Sequence, residues 1–222
     1  VERSWFEYLF LNISMQTLPI KSSAQQLEGR KKMKKVNVQE IQKPLRVQYK
    51  SLPEAARVTD HARTAGPDPS DPFHSKVEPM TGSEAWLPVG VHHALGGPHD
   101  APTPGDILCA ALAACQDSTI RMVANILRVE LEFLEVEVTG DVDVRGTMAI
   151  DPNVPVGFQS MHCKVQLRAK EGTNPELLER LRMAAEHCCI VLQTLRSGVP
   201  IQTEFDMTEQ NIQRMKELKE SR

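Results

Sequence analysis

Apolar side chains recur along this chain at two periods, and the periods separate helices from strands. Thr103-Pro104-Gly105-Asp106 carries the marks of a helix start. Thr103 can accept from the free N–H groups of the first turn, Pro104 sits where a missing N–H costs nothing, and Asp106 can reach back as the acid of a capping box. Leu108, Leu112, Cys115, Thr119, Met122 and Ile126 follow at spacings of four and three, one face of a helix that runs to about Leu127. The period then becomes two. Val136, Val138, Val142 and Val144 share one face and Glu135, Glu137, Asp141 and Asp143 the other. A second ribbon turns Met161, Cys163, Val165 and Leu167 inward and Lys164 and Arg168 outward, so an acidic and a basic face can pair across strands. Gly146 to Gly157 connects them. Asn174-Pro175 opens a second helix with Leu177, Leu181, Ala184, Cys188 and Leu195 as its buried stripe, ending near Ser197-Gly198. Val199, Ile201, Thr203 and Phe205 then alternate as a short strand. Helix, antiparallel ribbons, helix and strand make an α+β class.

The flanks are less regular. Nine of the fifteen prolines lie between Pro53 and Pro104, and proline excludes long central strands. Loops are expected there, with a short helix around Pro53–Asp60 and short strands near Ser75–Pro79 and Ala85–His93. Residues 1–44 read as a disordered or loosely docked extension, 45–206 as the folded domain, and 207–222 as a surface helix of mixed charge. The abrupt change after Lys32, followed by Met33-Lys34-Lys35, suggests a natural start at Met33 with residues 1–32 an upstream extension.

Charge and composition narrow the function. Of 222 residues, 26 are Lys or Arg and 29 Asp or Glu, a net charge of −3. The first 44 residues are net positive and the rest net negative, which gives no basic excess for general nucleic-acid binding. No glycine-rich phosphate loop follows a strand. The longest apolar run, Ile107 to Cys115, is nine residues, short of the roughly 20 needed to span a bilayer, so a soluble protein with no membrane partner is expected. Five cysteines, two of them adjacent, fit free thiols in a reducing cytoplasm better than a disulfide scaffold.

Those thiols are the candidate chemistry, although a cysteine is also a common small core side chain. Cys109 is about 120° from Cys115 around the helix, at about 100° per residue, and cannot share its site. Cys163 reads as a plain core filler. Metal ligation by His92, His93, His162 or His187 with cysteines is disfavoured. Cys188 and Cys189 diverge by roughly 100° on a helix and no CxxC spacing occurs, so no metal is expected.

The segment Pro104 to Cys115, an apolar, alanine-rich turn with cysteine eleven residues after proline, resembles the first-cysteine helix of the OsmC/Ohr family, the osmotically inducible and organic-hydroperoxide-resistance proteins. Ala184 to Leu195 resembles the family's second motif when Cys189 is aligned, since Leu195 then falls six residues after the cysteine. The likeness covers roughly residues 74–206. It implies two central helices wrapped by six-stranded antiparallel sheets, in an intimate homodimer with active sites at the subunit interface. It also implies a thiol-dependent peroxidase for organic hydroperoxides or hydrogen peroxide. Cys115 would form a sulfenate and Cys189 would close a disulfide with it, with a small dithiol or lipoyl-type reductant and no cofactor. The alternative is a non-catalytic scaffold that binds an apolar small molecule or senses oxidants through the same thiols.

A thiolate in an apolar stripe needs a compensating charge. In that family an arginine paired with an acid after the motif proline supplies it. Here Gly105 follows the proline, Asp106 stands one residue on, and Val91 to Gly97 holds no arginine. Asp106, His92, His93 and Arg145 are the supporting candidates, with Arg57, Arg63 and Arg121 as further sources. Ile190 replaces the motif proline after Cys189, which predicts an unkinked helix.

Overall fold

The computed structural model describes residues 36–66 and 68–205. The described residues from Asn37 onward belong to one compact unit. Expectations for the Trp5–Phe10 stretch, the start at Met33 and the tail helix at 207–222 fall outside the described residues.

The organising element is the helix Pro104–Leu127. Its start is the predicted capping box: the Asp106 N–H donates to Thr103 Oγ1 at 3.2 Å, and the Thr103 N–H donates to Asp106 Oδ2 at 2.8 Å. Arg128, with φ 58°, ends it in the left-handed region. In chain order α1 is Val38–Ser51, α2 is Pro104–Leu127, α3 is the single turn Val144–Thr147, α4 is Pro175–Cys188 and α5 is Ile190–Ser197. Strands β4, Leu131–Asp141, and β5, Ser160–Ala169, pair antiparallel, while β1, Arg63–Ala65, β2, Ser75–Glu78, and β3, Leu87–Val89, form a separate antiparallel sheet. Strand β4 and helices α1, α4 and α5 pack against α2. By length and composition α2 is the one described helix apolar enough to cross a membrane, contrary to the reading from its longest apolar run. In this fold it is the element on which β4 and helices α1, α4 and α5 pack.

The β4–β5 register pairs Val136 with Val165, Glu137 with Lys164 and Val138 with Cys163, so acid faces base and apolar faces apolar. Arg168 also reaches Glu132 at 3.3 Å and Lys170 reaches Glu130 at 3.0 Å. Such exposed pairs contribute about 0.2–1 kcal/mol each. Phe158, from the connection, lies over Gly140 of β4, where an added Cβ would come within 2.6 Å of its ring, and Gly105 of α2 meets the same ring at 3.1 Å. Those two glycines let the aromatic ring seal the end of the sheet against α2.

Four expectations need correction. The valine alternation stops at β4, because Val142 is exposed and Val144 turns into α3. The buried stripe of α2 is Leu112, Gln116, Thr119, Ile120, Val123, Ala124, Ile126 and Leu127, turned toward Gln116 and Ile120, so Met122 is exposed. The run 199–205 pairs with no strand among the described residues. Gly198, with φ 68°, turns the chain away from α5, and Ile201 and Phe205 are exposed. Within one chain the described sheets have three and two strands. Helix α1 includes residues 38–44 of the expected extension, anchored where the Val38 N–H donates to Asn125 Oδ1 at 2.9 Å.

Thr103→Ala removes one half of the capping box and lowers the unfolding free energy by about 0.5–2 kcal/mol. Urea denaturation reads this as a lower midpoint at constant slope. An unchanged midpoint would show that the box contributes nothing.

Candidate active site

Helix α2 carries Cys115 at the edge of its buried face. The core stripe passes through Leu112, Gln116 and Thr119, and Cys115 lies to one side of it, only partly buried. A sulfur there keeps one side toward neighbouring elements and one toward solvent.

The second thiol is placed by a break in the helical backbone. Residues 175–188 are helical, Cys189 is extended at φ −75° and ψ 107°, and the helix resumes at Ile190. The expectation of an unkinked helix is therefore corrected: the break forms without proline. Two interactions hold it. Cys189 O accepts from the Gln193 N–H at 3.0 Å, opening α5, and Gln193 Nε2 donates to Glu186 O at 2.7 Å, satisfying a carbonyl in the last turn of α4. The break buries Cys189 completely and leaves Cys188 and Ile190 exposed.

Cys189 and Cys115, seventy-four positions apart, lie close enough for Cys115 to influence the Cys189 thiol. Burial pushes the Cys189 thiol up to about 11; the Leu192 N–H opposes the rise, while the nearby Cys115 and Cys163 thiols add to it. Cys189 is therefore a protonated donor near neutrality. Burial also pushes up Cys163, helped by Glu186, and Cys109, helped by Asp106. It raises Cys188 as well, with Arg46 pulling the other way. All five cysteines are free thiols.

A cavity of about 1030 Å³ opens beside this pair, between α2, the inner face of β5 and helices α4 and α5. Leu112, Met161, Val165, Leu181 and Leu192 make most of its wall apolar, and Cys163 and Gln116 also line it. Cys115 and Cys189 are not among its lining residues. Gln116 is 4% exposed and its Oε1 accepts no hydrogen bond. A buried acceptor without a partner costs about 1–3 kcal/mol, so a ligand carrying a donor would find a ready contact.

The four supporting candidates lie elsewhere. Asp106 is fixed in the cap, where the Thr103 N–H and hydroxyl hold its carboxyl below the usual range. It is nine residues before Cys115 on one helix, about 13 Å along the axis. His92 accepts from the Ala94 N–H and packs against His93 and His99 in a loop that Asp106 faces. Burial lowers the His92 pKa, with the charges of its two neighbours adding to that. Arg145 forks the carboxylate of Asp143 at the start of α3. Within one chain, no described hydrogen bond or ion pair joins any of the four to Cys115. Of the other arginines, Arg121 pairs with Asp117 on α2 at 2.7 Å. Arg63 binds the fully buried Glu78 at 2.6 Å and stacks over Trp86. His162 is on the exposed side of β5, and His187 is in the last turn of α4.

Gln116 and the coupling of Cys163 to Cys189 went unread in the sequence. The polar side chain four residues after Leu112, inside an apolar stripe, was the available signal for the first. The inward position of Cys163 was the signal for the second.

Residues 97–204 match the family model for OsmC-like protein. The fold is similar to an OsmC-like protein of unknown function from Vibrio cholerae, at a TM-score of 0.51 and 13% identity, over 67% of this chain and 96% of that one. An OsmC-like protein from Mycoplasma pneumoniae aligns at a TM-score of 0.50 and 13% identity, over 64% and 89%. An organic hydroperoxide resistance protein from Legionella pneumophila is 25% identical, with a TM-score of 0.44 over 66% and 96%. No curated protein matches the chain.

The raised pKa of Cys189 gives a pH dependence of known sign. The folded chain holds that proton more tightly than the unfolded chain, whose cysteines titrate near about 8.5. The stabilisation is complete below that value and is lost as pH rises to about 11. Denaturant midpoints between pH 8 and 11 fall more steeply for the wild type than for Cys189→Ala. Parallel curves would contradict the raised value.

Proposed function

We propose that this chain, whose residues 97–204 match the OsmC-like family model, is a thiol-dependent peroxidase acting on organic hydroperoxides or hydrogen peroxide through Cys115 and Cys189. The observation that carries the reading is the proximity of the two thiols, one on α2 and one at the α4–α5 break. The half-buried Cys115 is the nucleophile, and the sealed, protonated Cys189 resolves.

The Cys115 thiolate attacks the terminal peroxide oxygen and the O–O bond breaks. The alkoxide, or hydroxide, leaves and takes up a proton. Sulfur is oxidised by two electrons to sulfenic acid. The Cys189 sulfur then displaces hydroxide from Cys115, forming the S–S bond, and its proton leaves with that oxygen as water. A small dithiol or lipoyl-type reductant opens the bridge by exchange and leaves as its own disulfide. The cycle needs no metal or organic cofactor. The proposed unit is a homodimer whose sites lie at the subunit interface, working in the cytoplasm without nucleic-acid or membrane partners.

A second reading rests on the cavity and on Gln116 Oε1. An apolar molecule carrying one hydrogen-bond donor fits that wall, with the thiols serving as oxidant sensors rather than as a turnover centre.

Turnover of cumene hydroperoxide with dihydrolipoamide separates the two. Cys115→Ser is expected to lower the rate by at least about a hundredfold. Cys189→Ser should keep one equivalent of oxidation and lose recycling, and Cys188→Ser should behave as wild type. Undiminished turnover in Cys115→Ser would remove the peroxidase mechanism, and a wild type without turnover would leave the binding reading.

A further inference from the structure

Between β3 and α2 the chain folds back on itself within nine residues. Val91 O accepts from the His99 N–H at 3.1 Å. His92 O accepts from the N–H groups of Leu95 and Gly97 at 2.9 and 3.2 Å, and His93 O accepts from Gly96 at 2.9 Å. Gly96 is left-handed at φ 84°, and so is His99 at φ 55°. An added Cβ on Gly97 would come within 2.3 Å of Val91 O, so the turn closes only with glycine there. A non-glycine residue held in the left-handed region is uncommon and strained. Here that strain carries the His99 ring back to His92 and His93.

The three imidazoles form a cluster. Ring centroids of His92 lie 4.1 Å from His93 and 4.3 Å from His99, and one ring nitrogen from each residue lies within 4.8 Å of the others. The Nδ1 atoms of His93 and His99 face one another at 3.3 Å. Two nitrogens bound to zinc at about 2.0–2.1 Å in a tetrahedron stand about 3.3–3.4 Å apart, so this pair already spans one edge of such a site. Asp106, across the loop, is close enough to interact with the charges of His92 and His99 and offsets a cation there.

We propose that His92, His93 and His99 bind one divalent transition-metal ion of the zinc class, leaving a fourth position open to solvent. Imidazole donors suit zinc, cobalt, nickel and copper, whereas magnesium and calcium require oxygen ligands. His93 and His99 bind through Nδ1. His92 now accepts from the Ala94 N–H through Nδ1 at 3.0 Å. Metal binding at Nδ1 replaces that bond, and binding at Nε2 moves the ring proton to Nδ1 and breaks it. The site departs from the metal-free expectation drawn from the sequence, which considered histidines only alongside the cysteines. It lies in the loop before α2, beside Asp106, which is itself about 13 Å along that helix from Cys115, so the proposed ion pins the loop. It stands independently of the peroxidase reading.

Cobalt(II) titration of the untagged full chain tests it, in a parent with Cys115→Ser and Cys189→Ser that removes the paired thiols as ligands. The parent should bind one equivalent with the visible absorption of a tetrahedral nitrogen-ligated ion, and its melting temperature should rise with the metal but not with magnesium. His93→Gln and His99→Asn should each weaken binding by about tenfold or more. Asparagine tolerates the left-handed backbone at position 99, and circular dichroism confirms that the variants fold. The exposed His93 gives the answer if the substitution at 99 does not fold. A parent that binds no cobalt up to about 1 mM, or histidine variants that bind as the parent does, would overturn the proposal. Binding seen only when Cys115 and Cys189 are present would overturn it as well.

Discussion

The chain breaks its helix at Cys189, and the proposed chemistry depends on that break. Were residues 175–197 one continuous helix, Cys189 would sit on a surface fixed by the stripe of Leu181 and Ala184 and could not turn independently of it. The extended backbone at Cys189 frees it from that periodicity, buries its sulfur and delivers it to Cys115. Gln193 serves both halves, its backbone N–H closing α5 and its side chain satisfying a carbonyl in the last turn of α4. A kink without proline is thus stabilised by hydrogen bonds that a helix end would otherwise leave unmade.

Burial then divides the labour between the two sulfurs. Cys189 is sealed and kept protonated, which suits a thiol that waits to condense with an oxidised neighbour. Cys115 sits at the margin of the α2 stripe, where an oxidant can approach. Cys163, on the adjoining sheet face, is coupled to Cys189 and opens on the apolar cavity. Gln116, whose Oε1 has no partner, lines the cavity, whereas Cys115 and Cys189 do not.

What could be read from the sequence follows from what periodicity encodes. The α2 start was legible because Thr103, Pro104 and Asp106 act locally, and the β4–β5 pairing was legible because alternation fixes the face of every side chain. The stripe of α2 was drawn slightly off axis. Cys115 and Met122 look apolar but lie at its margin, while the buried polar Gln116 was passed over. Helix α1 buries no residue and has Pro44 inside it, so neither of the usual signals marked it. The break at Cys189 depends on a side chain reaching seven residues back, which no local rule reports. The Cys115–Cys189 pairing came from motif resemblance. Asp106, His92 and Arg145 are each held by a near neighbour in the chain, Thr103, Ala94 and Asp143, and spacing alone does not tell which of several uses such a side chain takes.

The central claim is that Cys115 and Cys189 form one redox pair. Peptide mapping of the wild-type chain after one equivalent of hydroperoxide, quenched with an alkylating agent, tests it most directly. The account predicts a single new cross-linked peptide pair joining residues 115 and 189, with Cys109, Cys163 and Cys188 alkylated. A cross-link through Cys163 or Cys188 instead, or an oxidised Cys115 that never bridges, would contradict it.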